Sequence, residues 1–265
     1  MHHSKIQKLP KYLLTLGLLT LGFICLFVKL AFWQFARSDE KQNILDKTHS
    51  NNYIIPIFNL NQLSQQPEYT RVLVSGHFTS DAPIFLGNQF YQHKPGYHVI
   101  RPFLIDTDSN SDLKPDLKQI ILINTGWIEN PDKYLNKKII NNKQIQLTGI
   151  IKNSNNSQYI MGKNFSQKDS LYYLQRLDVN ESELNTIYPS YKLANRYINL
   201  LDLDKTHGTT IDFGTKIDWQ WATISPQKHY AYAIQWILLA ITCFLLYSCL
   251  CYKTYKAIKV TKNHS

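Results

Sequence analysis

"SPQKHYAYAIQWILLAITCFLLYSCLCYK", residues 225–253, decides how this chain is built. Between Lys228 and Lys253 it carries no formal charge, and Tyr230 to Tyr252 makes 23 residues of apolar and aromatic character. At about 1.5 Å per residue, such a helix crosses a hydrocarbon core of roughly 30 Å. His229, titratable and able to bind metal, stands at the threshold of the segment. A second apolar stretch, "YLLTLGLLTLGFICLFVKLAFWQF" from Tyr12 to Phe35, carries only Lys29, and a lysine close to a helix end can snorkel to the interface. This stretch outruns the h-region of about 7–15 residues in a secretory signal, and no small-x-small cleavage site follows it, so a second anchor is expected. No Arg-rich, Ser-rich transit sequence precedes it, which favours a bacterial protein over an imported mitochondrial one.

Charge placement orients the two spans. Lys5, Lys8 and Lys11 precede the first, Lys253, Lys256, Lys259 and Lys262 follow the second, and all 19 acidic residues lie between them. By the positive-inside rule both termini face the cytoplasm and the intervening segment faces the other side. The net charge of +10 is then mostly topogenic rather than a nucleic-acid footprint. The expected organisation is a cytoplasmic N-terminus (1–11), a first transmembrane helix with its extension (12–36), a periplasmic domain (37–228), a second transmembrane helix (229–252) and a cytoplasmic C-terminus (253–265), in a bacterial inner membrane. All four cysteines fall in or beside the spans, so the exported part has no disulfides. Met161 is its only methionine, which argues against a soft-ligand copper site.

The exported segment is long enough to bury a core, and its texture is mostly β. "YTRVLVSGHF" (69–78), "GYHVIRPFLI" (96–105), "QIILINTGWI" (119–128), "QIQLTGIIK" (144–152), "LYYLQRL" (171–177) and "RYINLLDL" (196–203) are strand-length runs rich in Ile, Val and aromatics, separated by turn-type residues. Short helices are expected over 55–66 and over 178–188, the latter from the capping-box pair Asp178 and Glu181. The polar stretch 106–118 reads as a loop. The sequence thus predicts two transmembrane helices flanking a β-rich (α+β) extracytoplasmic domain, an antiparallel barrel or sandwich with a few short helices.

Two faces could carry chemistry. Trp33, Arg37 and Lys41 lie at i, i+4, i+8 on a helix leaving the membrane and share one side. They could meet an anionic partner, or simply form an interfacial belt against lipid headgroups. His229, Tyr232, Ala233 and Trp236 follow i, i+3, i+4, i+7 on the second span. Such a face could hold a planar tetrapyrrole with His Nε2 on iron. On spacing alone, an aromatic belt with a hydrogen-bonded histidine is the plainer account. His77, His93, His98 and His207 lack the spacing of zinc ligands. No nucleophile elbow, zincin, P-loop or dinucleotide fingerprint occurs, and the chain is not read as an enzyme.

In order along the chain, "WQFARSDEK" (33–41), "VLVSGHF" (72–78), "GYHVIRPF" (96–103), "ILINTGWI" (121–128), "QLTGIIK" (146–152) and "HYAYAIQW" (229–236) resemble the motifs of the Surfeit locus protein 1 family of cytochrome c oxidase assembly factors. The resemblance covers nearly the whole chain. It departs from the family pattern at Thr125, where an Arg usually precedes Gly-Trp, at Gln227-Lys228, and at Ala31-Phe32. It implies two spans around an extracytoplasmic domain and a role in maturing the haem a centre of a terminal oxidase. The implied cofactor is haem a, transiently bound. His229 would be its axial metal ligand, Arg37 and Lys41 would contact its propionates, and Trp33, Tyr232 and Trp236 would pack around it. The implied partners are cytochrome c oxidase subunit I, haem A synthase and the lipid bilayer. A scaffold that binds no haem and stabilises assembly intermediates is the alternative.

Overall fold

The elements run α1 (Lys11–His49), β1 (Ile55–Ile57), α2 (Leu60–Gln65), β2 (Arg71–Phe78), β3 (Ile84–Tyr91), β4 (Lys94–Ile105), β5 (Lys118–Ile128), a 3-10 turn (Pro131–Tyr134), β6 (Ile145–Asn153), β7 (Phe165–Lys168), β8 (Leu171–Leu174), α3 (Ser182–Ile187), β9 (Tyr191–Leu203) and α4 (Pro226–Asn263). The computed structural model describes residues 11–49, 53–106, 118–134, 144–154, 160, 162–178, 182–203, 211–219, 221 and 224–263. They form two units, one of residues 1–46 with 221–265 and one of residues 47–220.

The first unit pairs α1 with α4, both long and apolar enough to cross a membrane. Each outruns its expected span. At about 1.5 Å per residue α1 is about 58 Å long, nearly twice a hydrocarbon core. Its polar half stays helical because 36–49 contains neither Gly nor Pro, and because side-chain pairs Arg37–Glu40 and Gln42–Asp46 support it at i, i+3 and i, i+4. At the start of α4, Ser225 accepts from Lys228 N through its side chain (3.4 Å) and its carbonyl (3.1 Å). Pro226 occupies the first helical position, where a missing N–H costs nothing.

The second unit is built on one nine-stranded sheet in the order β1-β2-β6-β9-β5-β4-β3-β8-β7, with a further pairing of β2 to β4. That pairing closes β2, β6, β9, β5 and β4 into a barrel. β2 uses Arg71–Gly76 against β6 and Gly76–Phe78 against β4. Gly76 serves both partners, and a Cβ there would lie 2.0 Å from the Leu104 carbonyl oxygen. Only glycine lets the two backbones approach so closely at the closing corner.

The result is a barrel, not a sandwich, and it is mixed: β1–β2, β3–β8 and β5–β9 pair in parallel. The helix expected over 55–66 divides into β1, with Pro56 on an edge strand where its missing N–H is tolerated, and α2. Asn59 caps α2, its side chain accepting from Gln62 N at 2.9 Å. β3 escaped notice because a register shift between Leu86 and Gln89, with Asn88 at φ 56, breaks its alternation. β7 escaped because "FSQK" is a mostly polar edge. α3 is described from Ser182, since 179–181 lie outside the described residues; of the expected loop over 106–118, 107–117 lie outside them too, and Lys118 already belongs to β5.

Among the described residues three apolar clusters share β4 and β5, the smallest being Phe85, Val99, Ile128 and Leu171. Val72, Val74, Phe103, Ile121, Ile123, Leu147, Ile198 and Leu200 come from all five barrel strands and fill its interior, with Leu60 and Leu63 of α2 joining them. Ile100, Ile120 and Leu122 point the other way and pack with Ile84 of β3, Leu174 of β8 and Leu184 of α3. β5 is therefore buried on both faces, which is why "IILI" reads as an unbroken apolar run. Each such side chain contributes about 1.5–3 kcal/mol by leaving water.

Candidate functional site

On α4 the buried or half-buried positions include Pro226, His229, Ala233, Trp236, Ala240, Cys243 and Tyr247. On α1 they include Leu13, Gly17, Thr20, Ile24, Phe27, Ala31, Gln34 and Ser38. Both sets alternate steps of three and four, the spacing of a helix–helix seam. The contacts run antiparallel. Ser38 Oγ donates to the Pro226 carbonyl at 3.0 Å, and His229 Nδ1 lies 2.8 Å from Gln34 Oε1. The rings of Phe27 and Trp236 stack at 5.6 Å and 26°. At the far end Tyr247 Oη donates to the Leu13 carbonyl at 3.0 Å, and a Cβ on Gly17 would come within 2.4 Å of that hydroxyl. Small residues at a seam let helices approach in lipid, where packing and hydrogen bonds rather than the hydrophobic effect hold them together.

His229 is therefore not a water-facing threshold residue. It keeps 8 % of its exposure and faces α1. An amide oxygen only accepts hydrogen bonds, so Nδ1 carries the proton and donates to Gln34. Nε2 is the ring nitrogen that this contact does not use, and imidazole nitrogens of this kind bind metals. Of the four residues expected on one face, the seam gathers His229, Ala233 and Trp236. Tyr232 is 44 % exposed and stands outside it.

Trp33, Arg37 and Lys41 do share a side of α1. The Arg37 guanidinium lies over the Trp33 ring, 5.9 Å from its centroid. Both cations meet Glu40, Arg37 at 2.5 Å and Lys41 at 3.4 Å. Arg37 and Glu40 are about half exposed, so these pairs are weak and exchangeable.

The residue types are those a haem could use, namely one imidazole, aromatic rings on the same helices and two cations further along α1, with the imidazole buried against α1. Gln34, Ser38 and Glu40 were not singled out in the sequence. The three-four alternation common to both apolar segments was the signal that could have found the first two. Among the described residues, no group of three His, Cys, Asp or Glu side chains could hold a metal ion.

In the sheet unit a buried polar cluster also went unnoticed. Asn124 Nδ2 donates to Asn199 Oδ1 at 3.0 Å and lies 3.2 Å from His98 Nδ1. Thr125, where the resemblance would place an arginine, is fully buried and donates to the Val99 carbonyl at 3.1 Å. A groove of about 670 Å³ runs beside Tyr97, Glu129, Ser166 and Tyr173 and includes none of the expected site residues.

Comparison with known proteins adds the remaining finding. The family model for the SURF1 family matches residues 21–241. A SURF1-like protein of Rickettsia prowazekii (strain Madrid E) is 26 % identical over 234 residues, covering 88 % of each chain. SURF1-like proteins of Rickettsia felis (24 % over 239 residues; 87 % of this chain, 94 % of the relative) and Rickettsia bellii (24 % over 224 residues; 84 % and 85 %) are similar over the same breadth.

Proposed function

Because the chain belongs to the SURF1 family, we propose that it holds haem a, or passes it to subunit I, during assembly of a haem-copper oxidase. Family membership supports a role in cytochrome oxidase assembly. The observation that carries the haem reading is the contact between His229 Nδ1 and Gln34 Oε1. Gln34 occupies Nδ1 and leaves Nε2 for iron. A bound haem would supply an iron centre that takes a nitrogen ligand. His229 would provide it, Trp236 and Tyr232 would pack on the ring, and Arg37 and Lys41 would take its propionates in exchange for Glu40. Subunit I, haem A synthase and the surrounding lipid would be the partners. The lysines outside the spans support a reading with both termini in the cytoplasm and the sheet unit in the periplasm of an inner membrane. Reporter fusions at residues near 110 and 260 check this; matching compartments would overturn the two-span arrangement.

The test is an absorption spectrum of the purified full-length protein. His229→Ala should abolish or shift the Soret band at unchanged protein level, with Tyr232→Phe as the control for a tyrosine ligand. An unchanged spectrum sinks the ligand assignment. The second reading, a scaffold in which His229 ties α1 to α4, is favoured by one observation: at 8 % exposure a porphyrin reaches Nε2 only if the seam loosens at that turn. On that reading the purified protein carries no haem and His229→Ala lowers its accumulation.

A further inference from the structure

We propose that Gln34 is a positioning residue for His229: it fixes the imidazole as the Nδ1–H tautomer and presents Nε2 as the ligand nitrogen. The proposal rests on the haem reading for its purpose, but its geometry stands on the polypeptide alone. The two side chains belong to facing helices and meet at 2.8 Å. Around them the seam is apolar or small, with Ala31 3 % and Ala233 0 % exposed, so water has little access to compete for Nδ1. Ser38 bonds to the Pro226 carbonyl, not to the ring. Gln34 is thus the side chain that selects which nitrogen is bare. Histidine ligands regularly donate their second N–H to an oxygen that sets tautomer, ring angle and basicity. Gln34 occupies the place of that oxygen.

The experiment uses the full-length chain in detergent micelles with 15N-labelled histidine, the His229 signals being identified by their loss in His229→Ala. At a pH where the ring is neutral, wild type should show the Nδ1–H tautomer. Gln34→Leu, close in size and compatible with the seam, should shift His229 toward the Nε2–H form or a mixture. Gln34→Glu presents an oxygen whichever way its carboxylate turns, and should restore Nδ1–H. With haemin as the probe, Gln34→Leu should weaken binding about 10–100-fold. Gln34→Glu should recover it, and Ser38→Ala should leave it unchanged. An Nε2–H tautomer in wild type overturns the proposal, as does a Gln34→Leu protein with unaltered tautomer and haemin affinity. Haemin binding as tight in His229→Ala as in wild type overturns the haem reading and, with it, the role assigned to Gln34. A tautomer that follows Gln34 while haemin binding does not overturns only the ligand-positioning role.

Discussion

Trp219 meets the imidazole of His98 edge-on, ring centroids 5.3 Å apart at 80°. The indole is pinned by its own Nε1, which donates to the Leu200 carbonyl at 2.7 Å. Asn124 donates to Nδ1 of the same imidazole, so the ring is held neutral. Burial pushes its pKa down from 6.5 to about 4. The unfolded chain therefore binds a proton that the folded domain refuses between these values. Stability is full above about pH 6.5 and falls as pH drops toward 4, by about 3 kcal/mol in all. Urea unfolding followed by tryptophan fluorescence should show the midpoint falling over that interval. His98→Gln should flatten the slope.

Trp127 is 7 % exposed, packs on Tyr91 at 5.3 Å, and exchanges backbone hydrogen bonds of 2.9 and 2.8 Å with Lys216. Trp127→Ala should cost about 3–5 kcal/mol. Denaturant midpoints of the purified protein measure this. Normal stability with lost oxidase activity would assign the indole to a partner contact.

Gly76→Val should prevent β2 from reaching β4, because the added carbons collide with backbone at Leu104 rather than with a movable side chain. Overpacking of this kind costs about 1–3 kcal/mol, or more where backbone must shift. The expected result is rapid cleavage of the sheet unit in limited proteolysis while α1 and α4 stay in the membrane fraction.

On the haem reading, Arg37→Ala combined with Lys41→Ala should weaken haem retention yet keep the ligand-field signature that His229 would set, since propionate contacts would not touch iron. Glu40→Gln should strengthen retention, because it removes the anion that both cations now meet. Haemin titrations of the three proteins at two salt concentrations would check both signs; exposed pairs weaken as salt rises.

Much of this was legible in the sequence because it is written as periodicity. The apolar runs at 12–35 and 230–252, and the alternation of Val72 and Val74, survive any tertiary context. Trp33, Arg37 and Lys41 were likewise placed together by spacing alone. What escaped depended on two segments at once. The burial of His229 follows from Gln34, far away in the chain. The separation of Tyr232 from its three companions follows from where α1 lies. Parallel pairing of β5 with β9 leaves no local mark, since a twofold alternation is the same whichever way a neighbour runs. β3 hid behind its own bulge, and Pro56 and Asn59 turned one expected helix into a strand and a shorter helix.

β9 bonds to β5 on one side and to β6 on the other, so that Ile198 stands beside both Ile123 and Ile151. Until that last strand arrives, β5 and β6 are each an open edge, and the four earlier strands cannot form a closed wall. The barrel therefore cannot complete itself progressively as the chain is made. Such non-local pairing belongs to the slow end of folding, in the range of milliseconds to seconds. During that interval apolar strand edges are bare and prone to mispairing. Any holding factor this protein needs would act on the nascent chain before residues 191–203 dock.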